Sequence, residues 1–311
     1  MSEPKMPNAN SANDRASQMK SVTLLDPPDT RPGETPQLPS MPLIVLEPRE
    51  SSTATSFEEM WRYRDLLYFL TWREISLRYK QTLLGVLWAV IQPVMTMVVF
   101  TVFLGRLAKV PSDGIPYPVF TYLGLLPWLY FSNAVSRSAA SLVNNSHLLS
   151  KVYFPRVLIP LGATLSALVD FAISFVVLVG LMLWYGIVPA VSTLFLIPLA
   201  IITALASLGV GMGLSALNVR YRDVTHALPF LIQIWMYATP VVYPTSLVPA
   251  RWRVVFALNP LTGIIDAYRS AALGRPLDWS TLGVSTAVVL VLLFLGIRSF
   301  NRMEREFADI V

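Results

Sequence analysis

Two ionisable side chains, Arg137 and Asp170, lie in stretches of sequence otherwise empty of charge. Charges at membrane depth are costly and mark functional sites by default. An Arg and an Asp so placed can neutralise each other as a pair, or the carboxylate can face water and relay protons. Arg137 sits toward the inner end of its segment, where a long stem also lets a guanidinium snorkel to the interface. Two charges are a thin basis for an ion pathway. The two histidines, His147 and His226, have no H-x-x-x-H or carboxylate pair beside them, so a metal site is not expected. There is no cysteine, which excludes disulfides, thiolate ligands and thiol nucleophiles. No G-x-x-x-x-G-K-[ST] loop is present to cradle ATP phosphates. No catalytic constellation remains, and the chain reads as an integral membrane protein rather than a soluble enzyme.

The elements that hold these residues follow from composition. The chain of 311 residues is 54% hydrophobic and 14% charged, against about 25% charged in ordinary soluble domains, and its mean hydropathy is +0.55. Glutamate is absent between Glu74 and Glu304. A surface so poor in charge has lipid as its solvent. A helix needs about 20 apolar residues to cross the hydrocarbon core, and the sequence predicts six such spans: about 84–105, 117–143, 158–184, 191–217, 227–243 and 279–297. From Phe171 to Val219 no charge occurs. A helix of that length would measure roughly 74 Å, so the chain must turn back, and Tyr185-Gly186-Ile187-Val188-Pro189 is the turn.

With the N-terminus inside, Arg73, Arg78, Lys80, Lys151, Arg156, Arg220, Arg222, Arg298, Arg302 and Arg305 fall near the inner face. Arg106, Lys109, Arg251, Arg253, Arg269 and Arg275 fall outside. The bias has the sign of the positive-inside rule. The net charge of +5 then reflects inner loops rather than nucleic-acid binding. Trp128, Trp184, Tyr185, Tyr243, Trp252 and Trp279 fall near span ends, as interfacial aromatics do.

Residues 1–56 hold nine prolines and eight serines without apolar periodicity, a composition that reads as a disordered arm with no signal peptide. Residues 57–80 read as an amphipathic helix in the inner interface, opened by an S-x-x-E capping box at Ser56 and Glu59. That helix is either an anchor or a clasp for a cytoplasmic partner. Residues 81–311 form the six-span transmembrane domain. Its first inner loop carries His147, Leu148, Lys151, Tyr153, Phe154 and Arg156. An exposed apolar face there would be a docking surface, or a helix lying on lipid. The second inner loop carries Arg220, Tyr221, Arg222 and Asp223. The outer segment, residues 244–278, has two apolar stretches, Val248–Leu258 and Leu261–Leu273, parted by Asn259-Pro260 and each too short to span. They read as re-entrant or interfacial helices, serving as a gate or a lid. The fold expected is all-α: about six transmembrane helices, an N-terminal amphipathic interface helix and two short outer-face re-entrant helices.

Several motifs resemble one family in combination. Arg78-Tyr79-Lys80-Gln81-Thr82, Leu84-Gly85-Val86-Leu87-Trp88 and Gln92-Pro93 look like the opening of the type-2 ABC export permeases. Gly124-Leu125-Leu126-Pro127-Trp128, Lys151-Val152-Tyr153-Phe154-Pro155-Arg156 and Asn218-Val219-Arg220-Tyr221-Arg222-Asp223 match too, as do Asn259-Pro260 and Phe307-Ala308-Asp309. The branch resembled exports lipid-linked polysaccharides: O-antigen, capsule or teichoic acid. The resemblance covers about residues 57–311.

It implies a homodimer in the bacterial inner membrane with cytoplasmic termini. It also implies two copies of a separate ABC ATPase that holds the ATP and Mg, this chain binding no cofactor itself. Residues Ser146 to Arg156 would be the coupling helix and the outer segment the periplasmic gate. Channel aromatics would contact sugar, which makes Trp235 and Tyr237 candidates beside Arg137 and Asp170. Partners are then the ATPase, a second copy, a lipid-linked glycan and membrane lipid, with no nucleic acid. A lipid or drug exporter, and an ion-coupled carrier using Arg137 and Asp170, are the alternatives.

Overall fold

A computed structural model describes residues 61–80, 85–151, 154–189 and 191–304. All of these belong to the compact unit Ser51–Val311. The arm, the capping box, Tyr153 and the Phe307-Ala308-Asp309 tail lie outside the described residues. Among the described residues every regular element is helical. In chain order these are α1 (Arg64–Tyr79), α2 (Leu87–Phe100), α3 (Tyr117–Asn144), α4 (Ser146–Lys151), α5 (Leu158–Trp184), α6 (Leu196–Arg220), α7 (Val224–Ala238), α8 (Arg253–Ala257), α9 (Pro260–Ala272) and α10 (Trp279–Glu304).

Four segments are long and apolar enough to cross a bilayer: Leu87–Leu107, Leu158–Trp184, Val191–Arg220 and Trp279–Glu304. They match the first, third, fourth and sixth expected spans. The first continues α2 through a π-helical turn, Thr101–Leu107. The fourth opens with a 3₁₀ turn, Val191–Phe195, ahead of α6. The expected second span is α3, 28 residues long. It is the centre of the bundle rather than a lipid-facing rod. Phe120, Leu123, Phe131 and Ala134 along it are buried against α5, α6 and α9. Trp128, expected at an interface, is 2% exposed inside this core. Its place in the Gly-Leu-Leu-Pro-Trp run is mid-helix, where only core is available.

The fifth expected span is shorter than anticipated. α7 has 15 residues, about 22 Å of helix against a core of about 30 Å. It stops at Ala238 because Pro240 forces the preceding Thr239 out of the helical region, to φ −106°, ψ 139°. The turn that follows, residues 240–242, is buried, so its backbone polar groups need partners. Arg269 donates to the Val241 carbonyl at 2.7 Å, and the Tyr117 hydroxyl donates to that of Val242 at 2.7 Å.

Side-chain size decides the closest helix contacts. A Cβ built on Gly296 of α10 would lie 2.0 Å from the Gly209 carbonyl oxygen of α6. One on Gly211 would lie 2.6 Å from the Ser138 side chain of α3. Small residues let helix axes approach where lipid gives no hydrophobic reason to associate.

The outer segment departs from the two-helix expectation. Val248–Leu258 yields one 3₁₀ turn, Ala250–Trp252, and the five-residue α8, with another 3₁₀ turn, Thr245–Leu247, just ahead of it. The second stretch is α9, which is no interfacial helix: Leu261, Ile264, Ile265, Tyr268 and Ala272 are fully buried against α3, α6 and α10. Arg269, counted above as an outer loop charge, is buried with them at 6% exposure. Asn259 caps α9 through Leu261 N–H, accepts from Trp235 Nε1 at 3.3 Å and donates to Thr239 Oγ1 at 2.8 Å. One side chain thus ties the end of α7 to the start of α9.

Candidate functional site

Arg137 and Asp170 do meet. Arg137 projects from α3 and donates through Nη2 to Asp170 Oδ2 on α5, and its Nη1 lies 3.4 Å from Ser166 Oγ. Two further groups join from α1. Arg78 Nη1 is 2.9 Å from Asp170 Oδ2, and the Tyr79 hydroxyl donates to Asp170 Oδ1. Both carboxylate oxygens are therefore engaged by charged or hydroxyl donors. The cleft beside this cluster, lined by Gln92, Tyr130 and Asn133 among others, holds only about 20 Å³, water-sized. The geometry is that of a structural clasp between three helices. Arg78 and Tyr79 were visible in the sequence only as motif letters, since nothing local shows that an interface helix reaches an aspartate 91 positions away.

The same helix touches α5 lower down. Gly162 faces the backbone of Thr71 and the side chain of Leu70 at 3.5 Å. Contacts at 162 and 170 on one helix, and at 70–71 and 78–79 on the other, put α1 alongside α5 for about two turns. It also carries the exposed aromatics Tyr68, Phe69 and Trp72, with exposed Trp61 just ahead of it, and Tyr68 is stacked on Trp72 at 6.5 Å. These rings suit the membrane interface.

The first inner loop is built differently from its expectation. α4 covers only Ser146–Lys151. Phe154 is 7% exposed and packs with Leu70, Leu158, Val219 and Phe300. The ring does not face outward: an aromatic just before Pro155 finds a core to fill. Leu148 is half-buried against the same cluster. Arg156 donates Nη1 to the Glu304 carbonyl at 2.8 Å, tying the loop to the end of α10. His147 is exposed, and Lys151 ends α4. Arg73 of α1 donates to Asn145 Oδ1 just before the loop.

In the second inner loop Arg220, Tyr221, Arg222 and Asp223 are all exposed, with the Arg220 guanidinium 5.5 Å from the Tyr221 ring. Asn218, which opens that motif, is buried. It donates to the Ala139 carbonyl at 3.0 Å and accepts from Thr225 Oγ1 at 2.9 Å. The sequence reading missed this pinning role. The two inner loops thus display His147 and the Arg220–Asp223 group, held from within by Phe154, Arg156 and Asn218.

Of the channel candidates, Trp235 is occupied. Its ring meets Phe131 edge-on at 5.0 Å and its indole N–H goes to Asn259. Tyr237 is 57% exposed on the same helix, near exposed Phe230 and Ile234. Among the described residues no cluster of three or more His, Asp or Glu side chains is placed to hold a metal ion.

Residues 65–273 match the family model for the ABC-2 type transporter. The chain is 31% identical over 255 residues to an O-antigen export system permease protein, RfbA, from Myxococcus xanthus, covering 81% of this chain and 97% of that protein. It is 29% identical over 248 residues to the protein of the same name from Klebsiella pneumoniae, covering 79% and 95%. It is 24% identical over 234 residues to the polysialic acid transport protein KpsM of Escherichia coli, covering 75% and 91%. A match over most of the chain, carried on a bundle of apolar helices, makes this protein a member of the ABC-2 type transporter family.

Proposed function

We propose that the chain is the membrane-spanning permease half of an ATP-driven exporter that moves lipid-linked polysaccharide outward across the bacterial inner membrane. The observation that carries this is the similarity, over nearly the whole length of the relative, to a protein named for O-antigen export. The chain would cross the membrane six times, with α3 and α7 added to the four apolar segments. α7 would complete its crossing through the buried turn at residues 239–242. Non-helical backbone is tolerated at membrane depth where protein covers it, and Arg269 and Tyr117 supply the donors here. α8 and α9 would enter and leave from the outer side.

Two copies would pair and each would engage one ABC ATPase holding ATP and Mg. The docking surface is the exposed set His147, Arg220, Tyr221, Arg222 and Asp223. Force on the first inner loop would pass through Phe154 into the inner core and through Arg156 into α10. Six helices about 10 Å wide leave little room for a sugar chain, whereas a two-fold pair encloses more and is the commonest closed assembly. The exposed apolar faces of α2, its π-helical continuation and α7, including Trp88, Phe103, Phe230 and Tyr237, are available to the partner copy, the glycan or lipid. The doubly engaged carboxylate of Asp170 counts against an ion-coupled carrier.

Deleting the gene and following surface glycan tests the reading. Loss of the glycan, restored by the intact chain only with an active ATPase, is expected. Unchanged surface glycan in the deletion strain, or export that collapses with the proton gradient at constant ATP, would overturn it.

A further inference from the structure

The helix at the centre of the bundle is open along one face. From residue 119 to residue 140 of α3 every side chain is buried except those of Leu129, Ser132, Asn133, Ser136, Arg137 and Ala140. Arg137 turns to Asp170. The other five are spaced i, i+3, i+4, i+7 and i+11, so they share one side of the helix. At 1.5 Å per residue this opening runs about 16 Å. Toward the outer end it stops, because residues 119–128 are buried without a break. Toward the inner end it continues through exposed Val143 and Asn144 to His147. α2 touches α3 beside the opening, where Gln92 and Asn133 line one cleft, and α7 touches α3 at Phe131.

Two carboxamides carry the chemistry of this opening. Gln92 is exposed and Asn133 half-buried, and among the described residues neither side chain makes a hydrogen bond. Both belong to helices read here as membrane crossings. A carboxamide offers two donors and an acceptor oxygen, and lipid tails can match none of them. Ser132 and Ser136 spend their protons on the Leu129 and Ser132 carbonyls, at 3.2 and 2.7 Å, which leaves their oxygens to accept. The two guanidiniums beside the site, those of Arg78 and Arg137, are engaged with Asp170. What remains is a set of uncharged donors and acceptors side by side, the complement of neighbouring hydroxyls on a sugar. The exposed ring of Trp88, one turn before Gln92 on α2, supplies an apolar surface for the C–H face of the same ring. We propose that Gln92 and Asn133 form a binding site for uncharged sugar units, open to the inner side of the membrane and closed to the outer side. The proposal rests on the export reading, which puts the inner loops in the cytoplasm and supplies a glycan to them. The two amides would read the hydroxyls of the glycan before it passes outward.

The test uses the full chain in lipid nanodiscs, and the absence of native cysteine makes it clean. Ser136→Cys places a thiol in the opening, and Val291→Cys, at an exposed position of α10, is the lipid-facing control. A charged methanethiosulfonate reagent attacks the thiolate, which needs water, so Ser136→Cys should react about tenfold or more faster than the control. Millimolar maltohexaose, isomaltohexaose and chitohexaose are the neutral probes, and trigalacturonate is the charged comparison. At least one neutral probe should slow the reaction about threefold or more. Asn133→Leu and Gln92→Met, which keep the side-chain size, should each abolish that protection. A Ser136→Cys rate no higher than the control, no protection by any neutral probe, equal protection by trigalacturonate, or protection that survives either substitution would overturn the site. Surface glycan in the deletion strain reads the export reading separately. Glycan lost on deletion with no protection refutes the amide site alone. Protection with glycan intact on deletion supports the amide site and refutes the export reading.

Discussion

Gly124→Ala pits two opposed effects against each other. Gly124 lies within α3, where alanine is worth about 1 kcal/mol over glycine in helix propensity. Against that, the new Cβ would sit 2.2 Å from the Val241 carbonyl oxygen and 2.8 Å from Arg269 Nη2. To reach an ordinary contact of 3.4 Å the carbonyl must retreat by about 1.2 Å, which pulls it off its 2.7 Å bond from Arg269. Overpacking of this kind costs about 1–3 kcal/mol, and a buried hydrogen bond to a charged donor about 1.5–3 kcal/mol. The net expectation is a loss of about 2–4 kcal/mol. Gly180→Ala is the control: it lies within α5 with no atom within 4 Å of its built Cβ, so it should be neutral or slightly stabilising. Unfolding by SDS in mixed micelles, followed by tryptophan fluorescence, measures both. A Gly124→Ala protein as stable as wild type would refute the reasoning, as would equal damage from Gly180→Ala.

Asp170→Ala leaves Arg78 and Arg137 without their shared carboxylate and should cost about 3–5 kcal/mol, read in the same unfolding assay; Asp170→Asn should cost less and leave export insensitive to the proton gradient. Gly296→Ala places a Cβ 2.0 Å from the Gly209 carbonyl, so it should loosen α6 from α10 and raise protease cleavage at the inner ends of both. Asp278→Ala removes the acceptor for the hydroxyls and backbone N–H groups of Ser280 and Thr281 at the start of α10, a loss of about 1 kcal/mol by thermal unfolding. Those hydroxyls hold the Asp278 carboxyl down to about 2. Its stabilisation is therefore present above the unfolded value of about 3.9 and lost as pH falls from there through about 2. Solvent exposure keeps the effect small, and the alanine variant should lack that acid limb.

Hydropathy made the apolar rods legible because a bilayer imposes a length on them. The third span came out as α5 with the same bounds, 158–184. What hydropathy leaves out is which rod lies inside. α3 and α9 are no more apolar than their neighbours, yet they form the core, and Trp128 and Arg269 were misplaced for that reason. The Arg137–Asp170 pair was visible as two charges in apolar surroundings. Arg78, Tyr79, Asn218 and Asn259 were not, because each acts across a turn or across many helical residues. The end of α7 was written in Thr239-Pro240, a local rule outweighed in the reading by the apolar residues beyond it.

The uneven burial of the helices has a mechanical meaning. In the first span only 17% of the apolar window is buried within the chain, and α7 buries only Leu228. α3, α5, α6, α9 and α10 are locked by glycine contacts, the Asp170 clasp and a shared buried core, whereas the Asn259 tie holds only the end of α7. A strain spread over such a body is taken up by its softest members. Displacing α2 or α7 breaks few internal contacts, whereas displacing α6 against α10 must separate two backbones in touch. The compliant parts of the subunit are thus the two helices with the most bare apolar surface. Their resting positions are set by whatever covers that surface, lipid, glycan or a second copy, so the stiffness of the transporter is partly a property of its surroundings.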